Sequence, residues 1–267
     1  MITSLHSPHV EAVKALLGSR GNKERRTTGT YVVEGLSNIK ELLLAESASL
    51  RTLYITEDGA RKFGANLPEN SKIIEVSPEV MGAMSDTVTS QGVLAIADLP
   101  NRDFEGWISN KETPITVAYF WQIQDPGNAG TVIRAADAFG LDGVIFSDNS
   151  VDIYSPKVVR STAGSLWHLP IFDEVPITTL LSICGERRAT VYATHSRADM
   201  LLSDVAESAS SQSSVWVFGN EARGLPEEIQ AMSDLIQVGI PMRGRAESLN
   251  LATAAAVVMY ALAEKKK

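Results

Sequence analysis

The chain has 267 residues, 44% of them hydrophobic and 21% charged, enough to bury a core in one large or two modest domains. A formal net charge of -8 excludes nucleic-acid binding through overall basicity, so any polyanion must be met by a local patch. Lone Cys184 excludes an internal disulfide and, with no basic-then-apolar leader, leads us to expect a reducing cytoplasm.

In chain order, residues 1–30 carry Lys14, Arg20, Lys23, Arg25 and Arg26 against Glu11 and Glu24, a net of +3 that leaves -11 for the remainder. The segment reads either as a solvated helix and loop or as a phosphate-contacting surface of salt-sensitive affinity. Lys157, Arg160, Arg243 and Arg245 add to it only if they face the same way. Short apolar runs then predict strands near 31–33, 51–56, 72–76 and 93–97, alternating with helices around 36–45 and 78–84. Ser77 and Pro78 make a good start for the second of these helices. From 98 to 114 periodicity disappears among Pro100, Asn101, Asp103, Gly106, Asn110 and Pro114. We therefore expect a first domain over 1–99, a linker over 100–114 and a second domain over 115–267.

Beyond the linker, strands are expected near 115–121, 143–147, 189–194, 215–218 and 235–239, with helices between them. That alternation implies an α/β domain with a mostly parallel sheet. The serine-rich stretch 203–214 reads as a solvated loop. The longest apolar tract, 249–263, contains Asn250 and Thr253 and is too short and polar to span a bilayer, so it reads as a core helix.

Three segments carry chemistry. The first runs from Asp125-Pro126-Gly127-Asn128 to Gly140, a strand-to-helix turn with Ala129, Val132, Ile133, Ala136 and Phe139 on one helical face. Arg134 lies off that face; on these residues alone, Asn128 caps the helix and Arg134 pairs with Asp137, or both serve a site. The second is the apolar strand Val215 to Phe218, opening into Gly219-Asn220-Glu221-Ala222-Arg223-Gly224-Leu225-Pro226. The third is Ile240-Pro241-Met242-Arg243-Gly244-Arg245-Ala246-Glu247-Ser248-Leu249-Asn250, leading into a helix of small residues. Open α/β sheets bind ligands outside the carboxyl ends of their strands, so three such loops make a plausible site. Gly127-Asn128-Ala129-Gly130 does not continue as a dinucleotide-binding fingerprint.

These segments, in this order, resemble the three motifs of the SpoU/TrmH family of S-adenosylmethionine-dependent RNA 2′-O-ribose methyltransferases, of the SPOUT class. The resemblance rests on Asn128, Gly130 and Arg134; on Gly219 to Gly224; and on Pro241, Gly244 and Glu247-Ser248-Leu249-Asn250. Ser4, Pro8, Arg25, Tyr31-Val32-Val33-Glu34-Gly35 and Gln91-Gly92-Val93-Leu94-Ala95 resemble the substrate-binding domain, L30e-like in fold, that many ribosomal-RNA members carry. The resemblance implies a deep carboxyl-terminal trefoil knot, which general rules of chain threading would not predict. It also implies a homodimer whose site joins the first motif of one protomer to the second and third of the other.

By the same resemblance, Asn128, Arg134, Glu221, Ser248 and Asn250 are the catalytic candidates. S-adenosylmethionine would lie against Thr194, His195, Gly219, Asn220, Glu221, Gly224, Ile240, Met242, Ser248 and Leu249. Lys14, Lys23, Arg25, Arg26 and Arg134 are the RNA-binding candidates. Read alone, Glu221 is better taken as a partner for Arg223 or Arg243, Ser248 as a helix cap and Asn250 as a capping or turn residue, while His195 is equally a structural hydrogen-bonding group or a contact. No metal is expected, because Cys184 and His6, His9, His168 and His195 show no ligand spacing. The resemblance favours 23S ribosomal RNA as substrate, with transfer RNA or a non-catalytic ribosome-associated RNA-binding role as alternatives.

Overall fold

The computed structural model describes residues 1–46, 48–64, 67, 72–112 and 114–266. It divides into two units, Met1–Asn101 with Asp152–His168, and Arg102–Val151 with Leu169–Lys267.

The first unit holds α1 (Pro8–Leu17), α2 (Gly21–Thr28), β1 (Thr30–Glu34), α3 (Leu36–Leu44), β2 (Leu50–Ile55), α4 (Glu57–Phe63), β3 (Ile73–Glu75), α5 (Pro78–Met84) and β4 (Val93–Asp98). Elements are numbered along the whole chain, and α8 (Pro156–Ser161) also belongs here. The strand order is β1-β4-β2-β3, with β4 antiparallel to both neighbours and β3 parallel to β2. Ser7 and Ser77 start α1 and α5 by accepting from the backbone N–H of His9 and Val80, each followed by a proline whose missing N–H costs nothing there. These helices lay Val10, Val13, Leu16, Val80, Met81 and Met84 against Val32, Tyr54 and Leu94 of the sheet.

The second unit adds β5 (Thr116–Phe120), β6 (Gly143–Phe146), β7 (Ile171–Phe172), β8 (Thr190–Thr194), β9 (Ser214–Phe218) and β10 (Leu235–Val238). Its helices are α6 (Phe104–Ser109), α7 (Pro126–Ala138), α9 (Ile177–Arg187), α10 (Leu202–Ser211), α11 (Glu227–Gln230) and α12 (Leu251–Lys265). Six strands run in the order β10-β8-β9-β5-β6-β7, every pairing parallel. Every residue of β5 and β9 is buried, as expected of parallel strands covered on both faces. Val117, Tyr119, Ile145, Val215 and Val217 pack with Phe104, Leu180 and Ile229 from α6, α9 and α11. The intervening residues Phe120, Trp216 and Phe218 point to the opposite face, where Phe120 stacks on Phe218 at 5.1 Å and Trp216 on Tyr192 at 4.6 Å. Helix α12 packs on both α7 and α10, outside the first cluster.

Three expectations change. Most of the serine-rich stretch is helix α10, because Leu202, Val205, Ala206 and Ala209 recur at helical spacing and are buried together with Ser210. Part of the expected linker, 104–109, is helix α6, which inserts Phe104 and Ile108 into the second unit's core. Residues 152–168, expected in the second domain, pack with the first unit: Val158 and Val159 are buried, Trp167 Nε1 donates to Tyr31 Oη at 3.0 Å, and Tyr154 tilts on Tyr31 at 4.9 Å. Among the described residues no helix is long and apolar enough to cross a membrane.

Candidate active site

Because all strands of the second sheet run parallel, the loops after β5, β8, β9 and β10 leave the same edge, and these four strands are neighbours. Asp125 caps α7, its Oδ1 accepting from Asn128 N–H at 2.8 Å, with Pro126 at the first helical position. Asn128 is therefore not the cap, and its side chain reaches outward. Its Nδ2 donates to Glu221 Oε1 at 3.2 Å. The Glu221 carboxylate also accepts from the backbone N–H of Gln124 at 3.3 Å and of Asp125 at 3.2 Å, placing an anion at the amino end of α7. Glu221 is thus not paired with Arg223 or Arg243.

Asn250 caps α12, its Oδ1 accepting from Ala252 N–H at 2.9 Å and Thr253 N–H at 3.2 Å, while its Nδ2 donates to Asn128 Oδ1 at 3.2 Å. One polar chain therefore runs from the start of α12 through Asn250, Asn128 and Glu221 to the start of α7. The first-motif Asn128 thus meets residues of the second and third motifs inside a single chain.

Asn220, 8% exposed, shapes the loop that presents Glu221. Its Oδ1 accepts from Ala222 and Arg223 N–H at 3.0 and 3.2 Å, and its Nδ2 donates to Gln122 C=O at 2.7 Å. Its own N–H and C=O pair with Gly224 at 3.0 and 2.8 Å. A Cβ at Gly219 would sit 2.5 Å from the Gly224 carbonyl carbon, so only glycine lets this loop close. Gln122 holds a left-handed φ of 46°, fixed by Ser147 Oγ, which accepts from its N–H at 2.7 Å, and by Asn220 and Gln124, which donate to its carbonyl. Sequence reasoning missed Gln122 and Gln124; their only signal was two glutamines between a buried strand and a helix cap.

A cavity of about 590 Å³ opens beside this network. Its wall takes Thr194 and His195 from the end of β8, Gly219, Asn220, Glu221 and Gly224 from the loop after β9, and Ile240, Met242, Ser248 and Leu249 from the loop after β10. All ten residues expected around a cofactor thus border one space, joined by Leu201, Arg223 and Gln230, which were not expected there. His195 also accepts from Arg197 N–H at Nδ1, 3.3 Å, so it helps fold its turn. Ser248 does not cap α12, since Asn250 does.

Arg134 is exposed on α7 and does not line the cavity. Lys14, Lys23 and Arg26 are exposed in the first unit. Arg25 corrects its expectation as an RNA contact: its side chain is 6% exposed, and Nε and Nη2 donate to Asp152 Oδ2 at 2.9 and 2.6 Å while Nη1 donates to Leu16 C=O. A guanidinium so enclosed is a structural group. Arg160 is likewise held, donating to Asp86 at 2.8 Å.

A pocket sized for a small cofactor at the edge of a parallel sheet is the arrangement of α/β group-transfer enzymes, whose acceptor is met by the loops outside. The chain belongs to the SpoU rRNA Methylase family, matching it over residues 116–260, as its motifs indicated. Residues 8–95 match the MRM3-like substrate binding domain. The chain is 31% identical over 240 residues to the 23S rRNA (guanosine(2553)-2′-O)-methyltransferase RlmP of Bacillus subtilis (strain 168), covering 90% of this chain and 91% of that one. It is 31% identical over 258 residues to the 23S rRNA (uridine(2479)-2′-O)-methyltransferase of Streptomyces viridochromogenes, covering 92% and 86%. The crystal structure of the SpoU methyltransferase AviRb from the same organism, in complex with AdoMet, superposes with a TM-score of 0.83 at 28% identity, covering 98% of each chain.

Proposed function

We propose that this SpoU-family protein transfers the methyl group of S-adenosylmethionine to a ribose 2′-hydroxyl of 23S ribosomal RNA, acting as a cytoplasmic homodimer. The observation that carries the reading is the Asn250–Asn128–Glu221 chain, which ties all three motif loops together at the rim of the cavity. Two relatives named as 23S ribosomal RNA 2′-O-methyltransferases support the substrate class; one name specifies a guanosine and the other a uridine, so the target nucleotide is left unassigned.

The cavity fits the cofactor. At about 590 Å³ it falls within the roughly 300–1,000 Å³ of small-molecule sites. Val238, Ile240, Met242 and Leu249 offer an apolar wall to an adenine, and Thr194, Asn220 and Ser248 offer polar groups to its sugar and amino-acid parts. When bound, S-adenosylmethionine supplies an activated methyl group. Glu221 and Asn128 act by holding the loops in register, their polar atoms being engaged with each other and with α7. Arg134 binds the phosphate next to the target ribose and stabilises the charge that develops as the 2′-hydroxyl gives up its proton to solvent water. A guanidinium scarcely deprotonates, so its work is electrostatic.

The uncovered face of α12 supports dimerisation: Val257 is 37% and Tyr260 51% exposed, and Tyr260 meets Phe139 at the end of α7 edge-on at 5.9 Å. A second copy seated across α7 and α12 would cover this apolar stripe and carry its Arg134 to the rim of the first copy's site. For the knot, the support is that Gly239 N–H donates to Met200 C=O at 2.8 Å and Leu202 N–H to Gly239 C=O at 2.9 Å. These bonds lay the turn after β8 across the chain that leads to α12.

Incubating the purified protein with cofactor and 23S ribosomal RNA lacking the modification, without added metal, tests the reading. Nucleoside analysis should find a 2′-O-methylated nucleoside and calorimetry one cofactor per chain; methylation only on a base, or no cofactor binding, would overturn it.

A further inference from the structure

The turn between β5 and α7 holds a conformation that its sequence does not favour. Gln122 has φ 46°, in the left-handed region, where glutamine lacks the allowance that glycine and asparagine have. Asn149, in the loop after β6, has φ 58°, which is ordinary for asparagine. A backbone like that of Gln122 persists only where its surroundings over-determine it, so the bonds it makes show what the strain serves.

The first partner is Ser147, buried just past the end of β6. Beyond β6 the serine's N–H donates to Phe120 C=O at 3.0 Å, and its hydroxyl accepts from Gln122 N–H at 2.7 Å. A hydroxyl has one hydrogen, and Ser147 Oγ donates it to Asp148 C=O at 2.8 Å, which leaves its lone pairs for Gln122. Two further bonds join the same stretches: Val151 N–H donates to Ile123 C=O at 2.8 Å, and Gln124 Nε2 to Asn149 C=O at 2.6 Å. The turn is therefore held by residues 147–151, which lie outside all three motif segments.

With its N–H fixed, Gln122 offers its carbonyl to Asn220 Nδ2 at 2.7 Å and to Gln124 Nε2 at 3.1 Å. Asn220 is buried, and its Oδ1 holds the Ala222 and Arg223 N–H groups of the loop that walls the cavity. Neither Gln122 nor Ser147 lines that cavity. Were Gln122 to relax to a negative φ, its carbonyl would swing off Asn220, leave a buried amide without that acceptor and free the loop to shift.

We propose that Ser147 and Gln122 form a latch of positioning residues, which sets the loop after β9 for cofactor binding and methyl transfer without lining the cavity itself. The proposal rests on the reading of the cavity as the S-adenosylmethionine site. Transfer needs the methyl carbon held in one geometry between donor and acceptor, so a displaced wall lowers both cofactor affinity and turnover.

The test measures S-adenosylmethionine affinity by titration calorimetry, and kcat and KM for cofactor and 23S ribosomal RNA, in Ser147→Ala, Gln122→Gly and Gln122→Val, with melting followed in parallel. Ser147→Ala strands the Gln122 N–H and should weaken cofactor binding about five- to tenfold, raising the cofactor KM with it while the RNA KM stays within about twofold. Glycine adopts a left-handed φ freely and keeps the N–H and C=O, whereas β-branched valine fits poorly there. Gln122→Val should therefore bind cofactor at least about fivefold more weakly than Gln122→Gly. Ser147→Ala with a lower melting temperature but native affinity and KM values would make the serine a structural residue only and overturn the proposal. Equal affinity in Gln122→Gly and Gln122→Val would show that the left-handed backbone does not set the loop, and would overturn it too. If Ser147→Ala does not fold, the glycine and valine pair at half-buried Gln122 decides alone. A wild type that binds no S-adenosylmethionine would instead refute the methyltransferase reading, and the latch with it.

Discussion

Replacing Glu221 by glutamine keeps the side chain's size but turns one of its two acceptor oxygens into a donor. In the native loop the carboxylate faces only donors: the N–H groups of Gln124 and Asp125, Asn128 Nδ2 at 3.2 Å, and Asn220 Nδ2 at 3.4 Å. Loss of the anion at the α7 amino end costs about 0.3–1 kcal/mol. The hydrogen bonds are long and the residue exposed, so together they add about 1 kcal/mol rather than the full value of buried charged bonds. A loss of about 1–2 kcal/mol should lower the melting temperature of a unit this size by about 3–6 °C. Because Glu221 and its neighbours form the cavity wall, cofactor affinity should fall about three- to tenfold, the part of that energy expressed in the bound state. Scanning calorimetry and titration calorimetry read the two effects separately. Glu221→Asp, one methylene short of its partners, should show the same pair of losses despite keeping the charge. If Glu221→Gln melted and bound cofactor like the wild type yet failed to turn over, the carboxylate would act on the substrate directly, and the holding role argued for it would be refuted.

Arg134→Ala should abolish methyl transfer with cofactor affinity unchanged within about twofold, as expected of a group outside the cavity, and Arg134→Lys should remain poor for want of a planar fork; near-normal turnover in either contradicts the role. Co-refolding Arg134→Ala with Glu221→Ala should restore part of the activity, since a mixed dimer holds one site with both residues intact, whereas verified mixed dimers without recovery would refute a shared site. Gly219→Ala should weaken cofactor binding about five- to 150-fold, because the new methyl would meet Gly224 and Leu225 backbone at 2.5–2.6 Å and force the loop open at a cost of about 1–3 kcal/mol; calorimetry showing native affinity would contradict that.

The sequence was informative wherever the signal was local. Buried runs such as Thr116–Phe120 and Ser214–Phe218, bounded by turn residues, were legible as strands, and the motif residues were legible as neighbours of one pocket. Composition misled at 203–214, where serines hid the helical spacing of Leu202, Val205, Ala206 and Ala209. It misled again at Arg25, whose charge suggested a surface role while its partner Asp152 lies 127 positions away. The return of 152–168 to the first unit was equally invisible, since Tyr31 and Trp167 are linked only through the tertiary fold. This bears on any attempt to isolate the methyltransferase part. A chain cut at residue 100 would strip Val158, Val159 and Trp167 of their buried setting, so its failure to bind RNA would not by itself identify an RNA-binding domain.

The central claim is ribose methylation of ribosomal RNA. Comparing 2′-O-methylation along 23S ribosomal RNA from a strain lacking this protein with that from its parent, by resistance of each phosphodiester to alkaline cleavage, tests it most directly. The account predicts the loss of a 2′-O-methylation mark in the deletion strain and its return with the wild-type protein but not with Arg134→Ala. An unchanged ribose-methylation map, or the loss of a base methylation instead, would contradict it.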